Sequence, residues 1–309
     1  MLSPHVPDLG ALEVIVAVAR TGSLTAAAAE LGVTQQAISA RVRSIEAQVG
    51  VALLVRSARG VAPTPAGQAL VQWAIRVLDA AAELDAGVAA LRGDRDVRLR
   101  VAASLTVAEH LLPGWLVALS ARRAAQGQPS AGLELTATNS AQVAELVASG
   151  RVELGFVEGP NPPRGLRWRT VAEDRLVVVV RPDHPWARRR APLPARTVAQ
   201  TAFVARERGS GTRTAFEDAL AASGHAPAAP VLELPSTAAV RAAVLAGAGP
   251  AALSRLTIAD DLAVGRLVEA PIAGLTLGRA LRAVWASGAH PPAGPARQLV
   301  AVAAELGRG

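Results

Sequence analysis

Gln36, Ser39 and Arg43 stand three and four residues apart, a spacing that sets them on one face of a helix. With Gln35 beside them they offer the groups that read base-pair edges. Gln bonds adenine bidentately, Arg serves guanine or a phosphate, and Ser contacts either. Arg56 and Arg59 follow in a turn with Gly60, where they would neutralise phosphates. Farther along, a second polar set comes after apolar runs: Ser104 and Thr106, Asn139, Glu158, the stretch from Arg206 and Glu207 through Ser210, Gly211 and Thr212, and Ser236. Hydroxyls beside the exposed N–H groups of helix starts suit a small anion or carboxylate, and the glycines at 209 and 211 allow a close-approaching backbone nest. Each such residue alone is an ordinary cap or turn; their convergence on strand ends marks a binding cleft.

Other chemistry is narrowed by absence. The chain has no Cys, no Lys and no Tyr, which excludes disulfides, thiolates, Schiff-base lysines and the phosphate-binding Gly-Lys-Ser/Thr loop. The five His are scattered, with no helical pair to hold a metal, so no cofactor is expected. An enzyme using Glu207 or Glu158 near His184 would need a nucleophile, base and orienter that the spacing does not supply. His184 reads instead as a turn residue, and Arg188–Arg190 as a solvated run. The net charge is +7, yet residues 1–96 hold eight Arg against nine acids. DNA contact would therefore rest on a local cluster, Arg41, Arg43, Arg56 and Arg59, rather than on a basic domain. No apolar run approaches the roughly 18–20 residues that span a bilayer, and Met1–Asp8 lacks the regions of a secretory signal. A cytoplasmic chain without a membrane partner is expected.

The elements that must position these residues are legible from caps and periodicity. Asp8 caps a first helix bearing Leu9, Leu12, Ile15, Val16 and Ala19 on one face. Ser23 caps a second, Leu24–Leu31, rich in Ala; Gly32 ends it, and Thr34 caps a third. Ile38, Val42, Ile45 and Val49 form one narrow stripe on that third helix. Residues 51–67 give two short strands around an Arg-rich turn, with Thr64-Pro65 opening the next helix. Two short helices about a tight turn, followed by such a wing, form a winged helix-turn-helix. From Gln68 to Leu91, Leu70, Val77, Leu84 and Leu91 recur every seven residues, with Ala74, Ala81 and Val88 between them, a seam suited to a two-helix coiled coil. Polar Gly93–Asp96 marks a boundary.

Residues 97–309 alternate strand-like and helical stretches. Strands are expected at 97–102, 133–137, 154–157, 176–180, 202–205, 231–234, 250–253 and 280–285. Helices are expected at 107–118, 141–148, 212–222, 236–245 and 296–306. The alternation implies parallel sheets with helices on both faces, whose ligands lie beyond the carboxyl ends of the strands.

The run GSLTAAAAELGVTQQAISARVRSIEAQVGVALLVRSARGVAPTPAG resembles the DNA-binding domain of LysR-type transcriptional regulators. The family's spacing falls on Gly22, Ser23, Ala27, Ala28, Gln35, Ser39, Ile45, Glu46, Gly50, Arg56, Arg59, Thr64 and Gly67. Gln36 stands where the family usually has Pro, Leu54 where it has Phe, Pro63 where it has Leu, and Ile15 where Phe is common. SLTVAEHLLPGWL, VELGFVEGP, VVVVRPDHPWA, RERGSGTR and the Ser236–Gly249 stretch resemble the family's effector domain. RERGSGTR is similar to the subgroup that includes regulators of sulfur assimilation and carbon fixation. The resemblance implies a winged helix-turn-helix over 1–67, a dimerising linker helix over 68–96, and an effector domain over 97–309. That domain would be α/β, with two lobes like those of periplasmic binding proteins: lobe I about 97–170 and 276–309, lobe II about 171–275. Ser23, Thr34, Gln35, Gln36, Ser39, Arg43, Arg56, Arg59 and Thr64 would then face double-stranded DNA with a partly palindromic operator. Ser104, Thr106, Arg206, Glu207, Ser210 and Thr212 would lie closest to a small-molecule effector, with a homotetramer of dimers as the assembly and RNA polymerase as a further partner. A solute-binding protein built on residues 97–309 alone is the rival reading, against which the winged helix argues.

Overall fold

The computed structural model describes residues 3–57, 60–91, 98–128 and 130–307. Its contacts divide the chain into one unit of Met1–Arg92 with Gly288–Gly294 and another of Gly93–Ser287 with Pro295–Gly309.

The first unit contains α1 (Leu9–Thr21), α2 (Leu24–Leu31), α3 (Gln35–Val49), β1 (Leu54–Ser57), β2 (Gly60–Pro63) and α4 (Pro65–Leu91). The expected caps form: Asp8 accepts from the Ala11 N–H at 2.8 Å, Ser23 from Ala26 at 3.3 Å and Thr34 from Ala37 at 3.2 Å. Gly22, Gly32 and Gly50 end the three helices in the left-handed conformation, which L side chains resist. Buried Ala27 and Ala28 let α2 lie close to α1, and Ile38 and Val42 close the core beneath them. Arg41 is a correction to the basic cluster. Its guanidinium pairs with Asp8 at 2.6 and 2.7 Å, so it serves the start of α1. Leu9 is also displaced from the expected face: it is exposed, and α1 buries Ala11, Leu12, Val14, Ile15, Ala17 and Val18 instead, because α2, α3 and α4 surround it on a wider arc.

Glu46 explains the acidic position in the motif. Its Oε1 accepts from the Leu53 and Leu54 N–H groups at 2.8 and 3.2 Å, joining α3 to the wing. Glu46→Ala is expected to destabilise this unit by about 1.5–3 kcal/mol, the range for hydrogen bonds to a charged group; a lower urea midpoint would register it. The wing is tied at its other strand, where Val61 N–H donates to the Gly22 carbonyl at 2.9 Å.

Along α4 the heptad seam has two fates. Leu70 and Ala74 pack with Ile15 and Ile45 of the same chain. Trp73, Val77 and Leu84 are exposed, and the Leu91 side chain lies outside the described set.

The second unit runs β3 (Arg98–Ser104), α5 (Leu105–His110), α6 (Leu112–Ala125), β4 (Gly132–Thr138), α7 (Ser140–Ala148), β5 (Leu154–Gly159), β6 (Arg167–Val180), β7 (Leu193–Pro194), α8 (Ala195–Ala199), β8 (Val204–Arg206), α9 (Gly211–Ala222), β9 (Leu232–Leu234), α10 (Thr237–Leu245), β10 (Ala251–Ser254), α11 (Ala259–Ala263), β11 (Val268–Glu269), β12 (Ile272–Ala273), β13 (Gly278–Trp285) and α12 (Pro295–Leu306). A seven-stranded sheet has the order β10-β6-β13-β5-β3-β4, with β11 also on β6. The first lobe has two cores, one under Leu112, Trp115, Phe156 and Leu299 and one around Val143, Val147 and Val284. The second has two, one around Trp186, Phe203 and Phe216 and one around Val179, Val240 and Leu253.

Three expectations change. The sheets are not purely parallel. β3 runs parallel to β4 and β5, but β13 is antiparallel to β5 and β6, and β10 to β6, because the chain crosses between lobes and back on neighbouring strands. The strand expected at 176–180 is only the end of the 14-residue β6. Its charged first part, Arg167–Arg175, pairs with β13 on either side of a register shift at Val171, a tertiary cause that composition hides. The helix expected at 107–118 is two, α5 and α6, broken at Leu111 ahead of Pro113, since residues before Pro resist the helical region and Pro supplies no N–H.

Candidate functional site

On α3, Gln35, Gln36 and Arg43 are exposed and Ser39 half-buried, opposite buried Ile38, Val42 and Ile45. Arg43 Nη1 donates to Ser39 Oγ at 3.1 Å, which pre-sets the guanidinium on the open face. Thr34 and Ser23 act as caps. Thr64 is bound locally, donating to the Ala52 carbonyl and accepting from Gly67 N–H at 2.8 and 3.0 Å. Arg56 is placed by its backbone in β1, opposite Val61; Arg59 lies outside the described residues.

In the second unit, Ser104 and Glu158 sit at the carboxyl ends of β3 and β5, Thr106 in α5, and Ser210 to Thr212 at the head of α9. All these side chains are buried. The structure brings Ser104, Thr106, Glu158 and Thr212 together around two residues the sequence reading passed over, Arg279 and Asp174. These face each other across the β13–β6 ladder, at the crossing between the lobes. Arg279 is fully buried and lies 2.7 Å from Asp174 and 3.1 Å from Glu158. It also donates to Thr212 Oγ1 at 2.9 Å and Thr106 Oγ1 at 3.3 Å. Ser254 donates to the other Asp174 oxygen at 2.9 Å. Thr212 and Ser104 donate to the two oxygens of Glu158 at 3.0 and 3.2 Å. Asp174 and Arg279 each stand at the margin of an apolar strand run, a hint of a buried pair, but their partnership across 105 positions has no local signal.

Backbone contacts seal the lobes around this cluster. Ala141 N–H donates to the Gly209 carbonyl at 3.1 Å, while Asn139 caps α7 by accepting from Gln142 at 3.0 Å. A β-carbon on Gly211 would fall 2.6 Å from Glu158 Cγ and 2.8 Å from its carbonyl carbon, so only glycine admits this approach. Arg282 donates to the Gly159 and Pro160 carbonyls at 2.7 and 3.2 Å and fixes the backbone just beyond Glu158; burial pushes its guanidinium pKa down.

Arg206, Glu207 and Ser236 form a separate group in the second lobe. Arg206 donates to both Glu207 oxygens at 2.7 and 2.8 Å and to Thr237 at 2.9 Å, and Ser236 caps α10. Beside it lies a small, largely apolar pocket of about 40 Å³, lined by Phe203, Phe216, Pro227, Arg206 and Thr212 among others. His184 takes the turn role expected of it, accepting from Trp186 N–H at 3.1 Å; burial lowers its pKa. Among the described residues no group of His and carboxylates is arranged to hold a metal, and no helix is long and apolar enough to cross a membrane.

A reading helix backed by a wing, followed by a two-lobed α/β domain with a polar cluster at its strand ends, defines a DNA-binding regulator with an effector domain. Comparison with known proteins narrows the class. Residues 9–68 match the bacterial regulatory helix-turn-helix protein, lysR family, and residues 92–307 the LysR substrate binding domain. An uncharacterized HTH-type transcriptional regulator of Mycobacterium tuberculosis is 51% identical over 302 residues, covering 97% of each chain. The regulator CbbR of Rhodospirillum rubrum is 32% identical over 287 residues, covering 93% of each. Among solved structures, a Corynebacterium glutamicum OxyR mutant superposes with TM-score 0.56 at 22% identity, covering 97% of this chain and 91% of that one. The regulatory domain of Synechocystis CcmR, in complex with 2-PG, gives 0.58 at 24% identity, covering 69% and 98%. The chain belongs to the LysR family of transcriptional regulators.

Proposed function

We propose that this regulator binds a partly palindromic operator through α3 and the wing, in the cytoplasm, and that a small anion or carboxylate held between the lobes modulates that binding or its coupling to RNA polymerase. The effector would contact Ser104, Thr106, Asn139, Glu158, Ser210, Gly211 and Thr212, with Arg206, Glu207 and Ser236 bordering the site from the second lobe. Ser210 carries this reading: its Oγ is buried, heads the 12-residue α9 without capping it, and has no hydrogen-bond partner among the described residues. A buried hydroxyl without a partner costs about 1–3 kcal/mol, and an anion at a helix N-terminus would satisfy it. Exposed Trp73, Val77 and Leu84 support dimers through α4 that pair into tetramers, placing recognition helices in successive major grooves.

Operator fragments selected from random duplex DNA supply the first measurement. Arg43→Ala is expected to weaken binding by about 1–3 kcal/mol and leave ligand binding intact. A thermal-shift panel of sulfite, sulfate, thiosulfate, nitrate, dicarboxylates and sugar phosphates supplies the second. A ligand at about a hundred times its Kd adds roughly 2.7 kcal/mol, a rise that Ser210→Ala should diminish. A shift untouched by both Ser210→Ala and Thr212→Ala would place the effector elsewhere.

A further inference from the structure

We propose that the inter-lobe site already holds a carboxylate, that of Glu158, so that an anionic effector binds there only by replacing it. This rests on the reading that the effector lies between the lobes. The Glu158 side chain is 2% exposed, and its oxygens receive three donors from separate elements: Ser104 at the end of β3, Thr212 in α9 and Arg279 in β13. Donors from both lobes closing on one carboxylate is the arrangement of a bound anion, supplied here by the chain.

Ser210 keeps a hydroxyl without a partner among the described residues, and two limits make replacement, not addition, the route to the remaining donors. Ser104 and Thr212 each have one hydroxyl proton, and both are committed to Glu158. Arg279 is shared between Glu158 and Asp174, so a further anion would set three negative charges about one buried guanidinium, with no solvent to screen them. The backbone of Glu158 is held in place. Its N–H donates to Ser140 Oγ at 3.1 Å, Gly211 abuts its carbonyl, and Arg282 holds the carbonyls of Gly159 and Pro160. The side chain alone can swing out, and the displacing ligand must carry an acceptor pair of carboxylate shape.

Glu158→Ala tests this directly, because it deletes Cγ, Cδ and both Oε atoms, the heavy atoms of acetate. The full-length variant should melt several degrees lower than wild type and regain most of that loss in acetate, saturably, with no recovery in chloride at equal ionic strength. The wild-type midpoint should stay unmoved by acetate. If the variant is insoluble, refolding in acetate against chloride reads the same effect as yield. A variant that responds to acetate no more than wild type, by midpoint or by yield, overturns the proposal. The two readings separate cleanly: acetate rescue alongside a silent wild-type panel upholds the resident carboxylate and removes the effector, and the reverse pattern does the opposite.

Discussion

Arg279→Met should lower the stability of the effector domain by about 3–5 kcal/mol, the range for removing one member of a buried ion pair. The substitution keeps bulk but strands two carboxylates, Glu158 and Asp174, both nearly inaccessible to water. It also removes the donor that Thr106 and Thr212 accept from. At about 2–4 °C per kcal/mol for domains of 150–250 residues, the melting point should fall on the order of 10 °C. Adding Glu158→Gln and Asp174→Asn should return much of the loss, since neutral partners no longer need the cation. A single variant within about 1 kcal/mol of wild type would show that solvent reaches the cluster.

Gly211→Ala isolates lobe closure from hydrogen bonding. It alters no polar group, yet its methyl would overlap the Glu158 backbone and Cγ, and backbone cannot turn aside as a side chain can. Overpacking of this kind costs about 1–3 kcal/mol. The strain is relieved most simply by α9 withdrawing from β5, which lengthens the Thr212–Glu158 bond and opens the site. Faster amide exchange at Ser210–Thr214 and a larger radius of gyration in solution are expected. Unaltered exchange would mean that the contact is absorbed locally.

The DNA-reading half was legible because its determinants are local. Caps at Asp8, Ser23 and Thr34, the apolar stripe of α3 and the glycines that end each helix lie within a few residues of what they control. The polar positions at strand ends were legible for the same reason. Their chemistry was not: whether Glu158 offers its carboxylate to a ligand or takes the donors itself depends on Arg279, which is brought to it only by the β13–β5 pairing. Arg41 shows the converse error, a charge assigned to an outward patch that a cap 33 positions away had already engaged. No strand was expected over Arg167–Arg175, because what orders its charged residues is the distant β13 paired against them.

Because β6 continues unbroken from one lobe into the other, the lobes are joined by a torsion element and not by a slack tether. Asp174 and Arg279 are paired in register on its ladder, close to the axis about which twist occurs, where displacement is smallest. Thr212 and Glu158 belong to elements set away from that axis. Opening therefore parts Thr212 from Glu158 first while the Arg279–Asp174 pair persists, so the guanidinium serves as a fulcrum, and the energy to be overcome on opening is that of hydroxyl hydrogen bonds to charged groups rather than of a buried ion pair.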